Sequence, residues 1–379
     1  MSRCLRGPTA FQSTIGAGSP RVLCASDHLD DEMMTMQRIL AIDAGGTTTR
    51  AVIVEQSGRC LGFGISGGGN PISAGFDSAL ASLEAATEMA LEASRPGSET
   101  LSSALIAMAG ASDRMPRERI ADRLEALGLR GTVEIESDLL AMFHSGTVSS
   151  HGYALVAGTG TVAARIADDQ LETVSDGAGW LLGDAGSGYW LGHHVARAVV
   201  AALDGRAPET ALTDLLLTSL QLTVTPERSF GRPLVLLQLM HALYAMRPIE
   251  LARFAPLAFQ ARDDHVANGI LAEAASELAS TLASVRDARS DGPAILDGPV
   301  VLGGSILGSA ILADTTPFAA CLKTALADAE LIPVRDGVVG AAVLGLTRAG
   351  VHVDTEVFQR IGQSVMQQRE LASVNGSGA

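Results

Sequence analysis

From Gln37 onward, short apolar runs are separated by polar and glycine-rich turns: "RILAIDAGGTTTRAVIVEQSGRCLGFGIS". The pattern predicts strands at 38–44, 49–56 and 59–66, joined by a Gly/Thr turn and a Ser57-Gly58 turn. Three consecutive strands with short connections make an antiparallel meander. The period then changes to that of a helix over about 73–94, with Leu80, Leu83, Ala86, Met89 and Ala90 on one face. An apolar strand, "SALIAMAG", a helix near 116–127, a strand "TVEIES" and a helix from Asp138 follow. Strands alternating with helices indicate α/β architecture.

The opening grammar recurs. "LVAGTGTVAARIADDQLETVSDG", Leu155 to Gly177, again reads apolar strand, Gly/Thr turn, strand, polar reverse turn, strand. One Gly/Thr hairpin is an ordinary tight turn, because glycine tolerates φ > 0 and threonine favours strands. Two lobes that each begin with such a hairpin would face each other across a cleft and grip a polyphosphate from both sides. Residues 186–290 are mostly helical and rich in Ala and Leu. A strand and a further glycine turn follow in "GPVVLGGSILGS" (Gly298 to Ser309), then a small-residue helix in "DGVVGAAVLGLTRAG". Gly337, Gly340, Ala341, Ala342 and Gly345 fit either a close approach to another backbone or a simple core helix.

Composition narrows the function. The 379-residue chain is long for a single core, and 47% hydrophobic against 18% charged residues is the balance of a folded protein. A formal charge of −15 disfavours nucleic acid and anionic membranes as partners. An anionic ligand would have to be held by backbone N–H groups or a metal. Cys4, Cys24, Cys60 and Cys321 are scattered without metal-ligand spacing, so reduced thiols and no structural zinc are expected. No stretch reads as a signal peptide or membrane span, and a cytoplasmic location is expected. Residues 1–35 read as a flexible N-terminal extension and 368–379 as a flexible tail.

Five segments in this order resemble the actin-like ATPase and sugar-kinase superfamily, specifically its N-acetylglucosamine kinase and BadF/BadG-type ATPase branch. "DAGGTTTR" looks like the first phosphate motif, "ESDLLAM" the first interdomain connection, "VAGTGT" the second phosphate motif, "VLGGS" the adenosine motif and "DGVVGAAVLGL" the second connecting helix. "GWLLGDAGSGYWLG" is the segment most particular to the branch. The resemblance covers about 38–349. It implies a two-lobed actin-like ATPase (ribonuclease H-like) fold, each lobe a mixed five-stranded sheet flanked by helices, with a cleft between the lobes. The implied lobes are 36–147 plus 337–367 and 148–336.

By this resemblance ATP lies at the base of the cleft, against Gly45, Gly46, Thr47, Thr48, Gly158, Thr159, Gly160, Thr161, Gly303, Gly304 and Ser305. Glycine-turn N–H groups and threonine hydroxyls bind phosphate oxygens without positive charge, which suits an acidic protein. Asp43 is the implied Mg2+ residue, directly or through water; its bland reading is a turn cap. Asp138, at a strand-to-helix junction, reads as a helix N-cap and, by resemblance, as the catalytic base that also binds the sugar. Asn70, Thr159, Gly177 and Asp184 are the remaining implied sugar positions. For Asn70 the alternative is a turn residue before Pro71, and for Asp184 a helix cap. Trp180 reads as a core residue, and His144, His193 and His194 as structural histidines.

Val162 departs from the pattern, since animal-type members carry a sugar-binding asparagine there. The cysteine clusters of ROK-type kinases and of iron–sulfur activator ATPases are both missing from the chain. The expected function is an ATP- and Mg2+-dependent hexosamine kinase forming N-acetylglucosamine 6-phosphate, a homodimer by family habit. A glucosamine kinase and a non-kinase ATPase switch of the same fold are the alternatives.

Overall fold

The computed structural model describes residues 37–94, 100–109, 116–286, 298–308, 316–326 and 329–376. The expected extension at 1–35 lies outside them. The first lobe opens with β1 (Arg38–Ala44), β2 (Thr49–Glu55) and β3 (Cys60–Ser66), followed by α1 (Pro71–Ala74) and α2 (Phe76–Ala93). Then come β4 (Leu101–Met108), α3 (Arg117–Ala126), β5 (Val133–Ser137) and α4 (Asp138–His144). The sheet order is β3-β2-β1-β4-β5, with the β1–β2 and β2–β3 pairs antiparallel and the β1–β4 and β4–β5 pairs parallel. Ile39, Leu40, Ala41 and Ile42 are all buried, because helices cover both faces of this central strand.

The second lobe repeats the plan. It begins with β6 (Gly152–Ala157), β7 (Thr161–Ala167) and β8 (Gln170–Asp176) and continues through α5 (Gly188–Leu203) and α6 (Leu212–Ser219). A two-residue-strand hairpin, β9 (Arg228–Ser229) and β10 (Arg232–Pro233), leads to α7 (Leu234–Tyr244), a 3-10 turn at Pro248–Phe254, α8 (Ala255–Gln260) and α9 (His265–Arg286). Next are β11 (Val300–Gly303), α10 (Pro317–Ala325) and β12 (Leu331–Pro333). Its sheet runs β12-β11-β6-β7-β8, the order of the first sheet with each strand replaced by its counterpart. The recurring Gly/Thr hairpin is thus part of a whole repeated sheet.

Two connecting helices join the lobes: α4 after the first sheet and α11 (Val338–Arg348) after the second. They cross so closely that a Cβ on Gly340 would collide with the Ala141 carbonyl, and the Gly340 N–H donates to Ser145 Oγ at 2.8 Å. Leu139, Leu140 and Phe143 of α4, Ala341, Val343 and Leu346 of α11, and residues of both sheets form one continuous core. The chain ends in α12 (Thr355–Gly376), which lies against β3. This helix runs through the stretch from 368 that the sequence pattern assigned to a flexible tail. Its buried stripe is Ile361 and Val365, with Val357 one turn earlier. Among the described residues no helix is long and apolar enough to cross a membrane.

Gly340→Ala is expected to lower stability by about 2 kcal/mol, because overpacking at a backbone contact outweighs alanine's better helix propensity. A lower denaturation midpoint at unchanged m-value would register it.

Candidate functional site

The turn after β1 is short and closed: the Gly45 N–H donates to the Thr48 carbonyl at 3.0 Å. Gly46 and Thr47 are exposed and Thr48 half-buried, so the turn presents its backbone outward. The loop after β3 is tied to it. The Gly69 and Asn70 N–H groups both donate to the Gly45 carbonyl (3.0 and 3.2 Å), and Thr49 Oγ1 donates to the Gly67 carbonyl at 2.8 Å. The Asn70 carbonyl accepts from Ala74 N, so Asn70 also starts the short helix α1. Its position is therefore set by the first phosphate-type turn.

Asp43 lies at the end of β1 with its side chain buried. Its Oδ2 accepts from the Gly337 N–H at the start of α11 (3.1 Å) and lies 3.5 Å from Arg50 Nη1, directly across the β1–β2 ladder. Arg50 Nε is also 3.2 Å from Asp336 Oδ2, and Asp336 is paired with Arg369 of α12 at 2.9 Å. Burial, with added repulsion from Asp336 and Asp138, pushes the Asp43 carboxyl up to about 7, against the opposing pull of Arg50 and the Gly337 N–H. Asp43 is more than a turn cap. It is a buried carboxylate where the two lobes join, and the one guanidinium opposite it is shared with Asp336.

Asp138 begins α4 but is not its cap. Ser137 fills that position, its Oγ accepting from Leu139 N at 3.2 Å. Asp138 is instead the first helical residue, its carboxyl raised by burial and drawn down by the Leu139 N–H and its own. Its charge reaches Asp43, which brings the expected base and the expected metal residue into one neighbourhood.

The second turn is braced from behind. The Gly158 N–H bonds the Gly160 carbonyl at 2.9 Å, while the Gly188 and Tyr189 N–H groups at the head of α5 donate to the carbonyls of Gly158 and Thr159 (2.8 and 3.1 Å). Thr159 is exposed. Thr161, expected among the phosphate contacts, is buried: its N–H is given to Asp184 Oδ1 at 3.0 Å and its carbonyl accepts from Gly177 N at 2.8 Å. Asp184 is buried and packs under Gly160, where a Cβ would come within 2.6 Å of Oδ1. It is not the helix cap, since Ser187 caps α5 with its Oγ accepting from Trp190 N. Burial first, and then Asp176, raise the Asp184 carboxyl, against the Thr161 hydrogen bond.

Asp176, overlooked by the sequence reading, folds the loop that carries Gly177 and Asp184. In left-handed backbone at φ 65°, it accepts from Asp184 N (2.8 Å), Ala185 N (3.2 Å) and Ala178 N (3.4 Å). The only local sign of it was an Asp-Gly pair at a strand end. A Cβ on Gly177 would lie 3.3 Å from Val162 Cγ2, so Val162 lines the space beside that glycine. Trp180 is partly exposed and meets Tyr189 edge-on at 5.9 Å, so it is not a core residue. Gly304, at φ 88°, packs on the Ala157 carbonyl, and Gly303 abuts Met142 of α4, joining the expected adenosine turn to both the second turn and the connecting helix. Ser305 is exposed there.

Asn70 belongs to the first lobe and Asp184 to the second, each fixed by its own lobe's turn. Of the histidines, His194 bonds the Trp190 carbonyl and stacks on Trp190, and His193 stacks on Tyr189. His144 is buried without a hydrogen bond on either ring nitrogen, 3.5 Å from Asp169.

The donor set at Asp43 suits a hard divalent cation. Its Oδ1 takes no hydrogen bond among the described residues, and the adjoining carboxylates of Asp138 and Asp336 leave negative charge in excess of Arg50. No three His, Cys, Asp or Glu side chains converge as ligands among the described residues.

Comparison with known proteins places these elements in context. An N-acetyl-D-glucosamine kinase of Dictyostelium discoideum is 28% identical over 263 residues, 66% of this chain and 80% of its own. An N-acetylmuramic acid/N-acetylglucosamine kinase of Clostridium acetobutylicum is 26% identical over 187 residues, 49% of this chain and 61% of its own. The crystal structure of a candidate N-acetylglucosamine kinase from Porphyromonas gingivalis superposes with a TM-score of 0.60 at 20% identity, covering 83% of this chain and all of that one, a likeness of fold. Residues 40–345, from β1 to the last turns of α11, match one family model, and the chain belongs to the BadF/BadG/BcrA/BcrD ATPase family.

Proposed function

We propose that this protein transfers the γ-phosphoryl group of ATP to N-acetylglucosamine, forming N-acetylglucosamine 6-phosphate. The observation that carries the reading is the proximity of Asp138, the first residue of α4, to Asp43 at the end of β1, whose buried carboxyl the Asp138 charge helps to raise. The kinase relatives support the reaction class.

Asp138 would accept the proton of the sugar hydroxyl as its oxygen attacks. Phosphoryl transfer has a loose transition state, so the main task of the base is to hold the hydroxyl in line. Burial moves the carboxyl toward neutrality, which brings its proton affinity closer to that of an effective base at neutral pH. Asp43 would hold Mg2+, which when bound neutralises charge on the β- and γ-phosphates. The exposed Gly46 and Thr47 of the first turn and Thr159 of the second would face the phosphates, the N–H groups of Gly45, Gly158 and Thr161 being used to shape the turns, and Gly303 to Ser305 would face the adenosine. Asn70, Thr159, Gly177 and Asp184 would bind sugar groups from the two lobes.

Val162 favours the acetylated sugar over glucosamine. Its methyl groups border Gly177, and the neighbouring Asp176 already spends both oxygens on backbone N–H groups. An ammonium there would find an apolar wall, whereas an acetyl methyl would be well matched. A cytoplasmic homodimer is the form we expect for the enzyme.

ADP release coupled to a dehydrogenase should depend on sugar, with N-acetylglucosamine preferred over glucosamine, glucose and N-acetylmannosamine. Asp138→Asn should lower kcat by roughly 10²- to 10⁴-fold, the worth of a positioned base. Turnover indifferent to every sugar and to this substitution would leave an ATPase switch instead.

With its carboxyl pushed up to about 7 by burial, Asp43 should take up a proton as pH falls through that range. At low magnesium, kcat/KM for ATP should therefore fall as pH drops through about 7. Saturating magnesium should move that limb to lower pH, because proton and cation compete for one carboxylate. In the cation-free protein the sign for stability is opposite. The folded state keeps a proton that the unfolded chain releases near 3.8, so stability should decline as pH rises from there to about 7, read by thermal melts in chelator.

A further inference from the structure

The C-terminal helix α12 begins beyond residue 345, where the family match ends, yet it reaches the candidate site. Val357, Ile361, Val365 and Arg369 recur every four residues along one face. The first three pack into the core, and the fourth brings a guanidinium to Asp336. Arg369 is largely enclosed, its side chain 15% exposed, with its guanidinium carbon 5.1 Å from the centre of the Phe63 ring. Burying an arginine is costly unless it is paired. It is paired through one nitrogen, Nη2, which lies 3.1 Å from Oδ1 and 2.9 Å from Oδ2 of Asp336.

Asp336 stands two residues before the first residue of α11, and its Oδ1 also accepts from Val338 N at 3.4 Å. It competes with Asp43 for Arg50, which stands 3.2 Å from Asp336 and 3.5 Å from Asp43. Two buried carboxylates thus share two guanidiniums in the order Arg369, Asp336, Arg50, Asp43. Were Arg369 removed, Asp336 would draw Arg50 to itself, and Asp43 would lose its cross-strand partner. The Gly337 N–H that holds Asp43 Oδ2 would also sit on a helix start whose acidic residue is half-paired.

We infer that Arg369 is a positioning residue for the nucleotide and its cation: through Asp336 and Arg50 it holds Asp43 in place, so α12 completes the candidate site. This rests on the reading of Asp43 given above. Helix docking itself does not depend on Arg369. Cys60 N donates to Ser364 Oγ at 2.9 Å, Arg360 Nη1 donates to the Ser57 carbonyl at 2.6 Å, and Val357 and Ile361 close on Gly58.

The test compares Arg369→Ala, Arg369→Lys and Arg360→Ala in the full chain. It uses calorimetric titration with magnesium-ADP, and steady-state kcat and KM for ATP and for sugar. Arg369→Ala should weaken magnesium-ADP binding and raise KM for ATP by about tenfold or more, the usual effect of removing a group that orients a metal ligand. Its KM for sugar should stay near the wild-type value. Arg369→Lys should recover most of the loss, and Arg360→Ala, on the same helix, should bind as wild type. Equal magnesium-ADP affinity in Arg369→Ala and Arg360→Ala would overturn the inference even if both melt earlier. If Arg369→Ala does not fold, Arg369→Lys and Asp336→Asn decide by the same titration, and unchanged affinity in both sinks it. If the wild type shows no sugar-dependent turnover, the kinase reading fails, while the magnesium-ADP affinities still judge Arg369.

Discussion

A carboxylate buried where two lobes meet constrains everything around it. Asp43 ends the central strand of the first sheet, and the group that steadies it, the Gly337 N–H, opens the helix that returns from the second sheet. For that N–H to reach it, α11 must cross α4 at contact distance, which is why Gly340 faces the Ala141 carbonyl with no room for a side chain. The same crossing puts Asp138, at the head of α4, within electrostatic range of Asp43. Close helix packing and the clustering of acidic groups are therefore a single arrangement, since loosening the crossing would withdraw both the N–H and the second carboxylate.

The second lobe meets a related demand with other means. Its turn from Gly158 to Thr161 carries no charged residue and is shaped by what lies beneath it. Asp176 gathers three N–H groups of the following loop, which places Asp184, and Asp184 in turn takes the Thr161 N–H. Asp176 and Asp184 both adopt left-handed backbone, a conformation that costs a non-glycine residue about 1 kcal/mol or more. The hydrogen bonds to buried or half-buried carboxylates offset that cost. Two acidic residues are thus spent on shaping this turn. They stay compatible with it because their charge is directed into backbone N–H groups and away from the exposed surface of Thr159.

Local grammar carried much of this architecture. The strands beginning at Arg38, Thr49 and Cys60 fall where alternating apolar runs and glycine turns put them, and the recurrence of that pattern at Leu155 anticipated a second lobe opening with the same hairpin, though not the order of its strands. What escaped were partnerships across long sequence separations. Arg50 was legible only as the one charged residue within "TRAVIV", and nothing near it pointed to an aspartate 286 positions later. Asp336 carried a weak helix-start signal, an acidic residue ahead of a glycine and an apolar run. Asp138 was read as a cap because aspartate favours that place, but the serine just before it already filled it.

Helix α12 shows most plainly why tertiary context overrides local signals. Its sequence is polar and glutamine-rich toward the end, which reads as fraying, and its apolar face is narrow. A narrow stripe suffices because the turn before β3 has no side chain at Gly58, where Val357 and Ile361 close on the backbone. Along that stripe an arginine stands where a leucine would be expected. In a helix that merely covered a sheet, the guanidinium would be a burden to stability. It is tolerated because Asp336 needs a second partner when Arg50 is shared with Asp43. Arg369 thus makes the end of the chain answerable to the charge balance at the joint between the lobes.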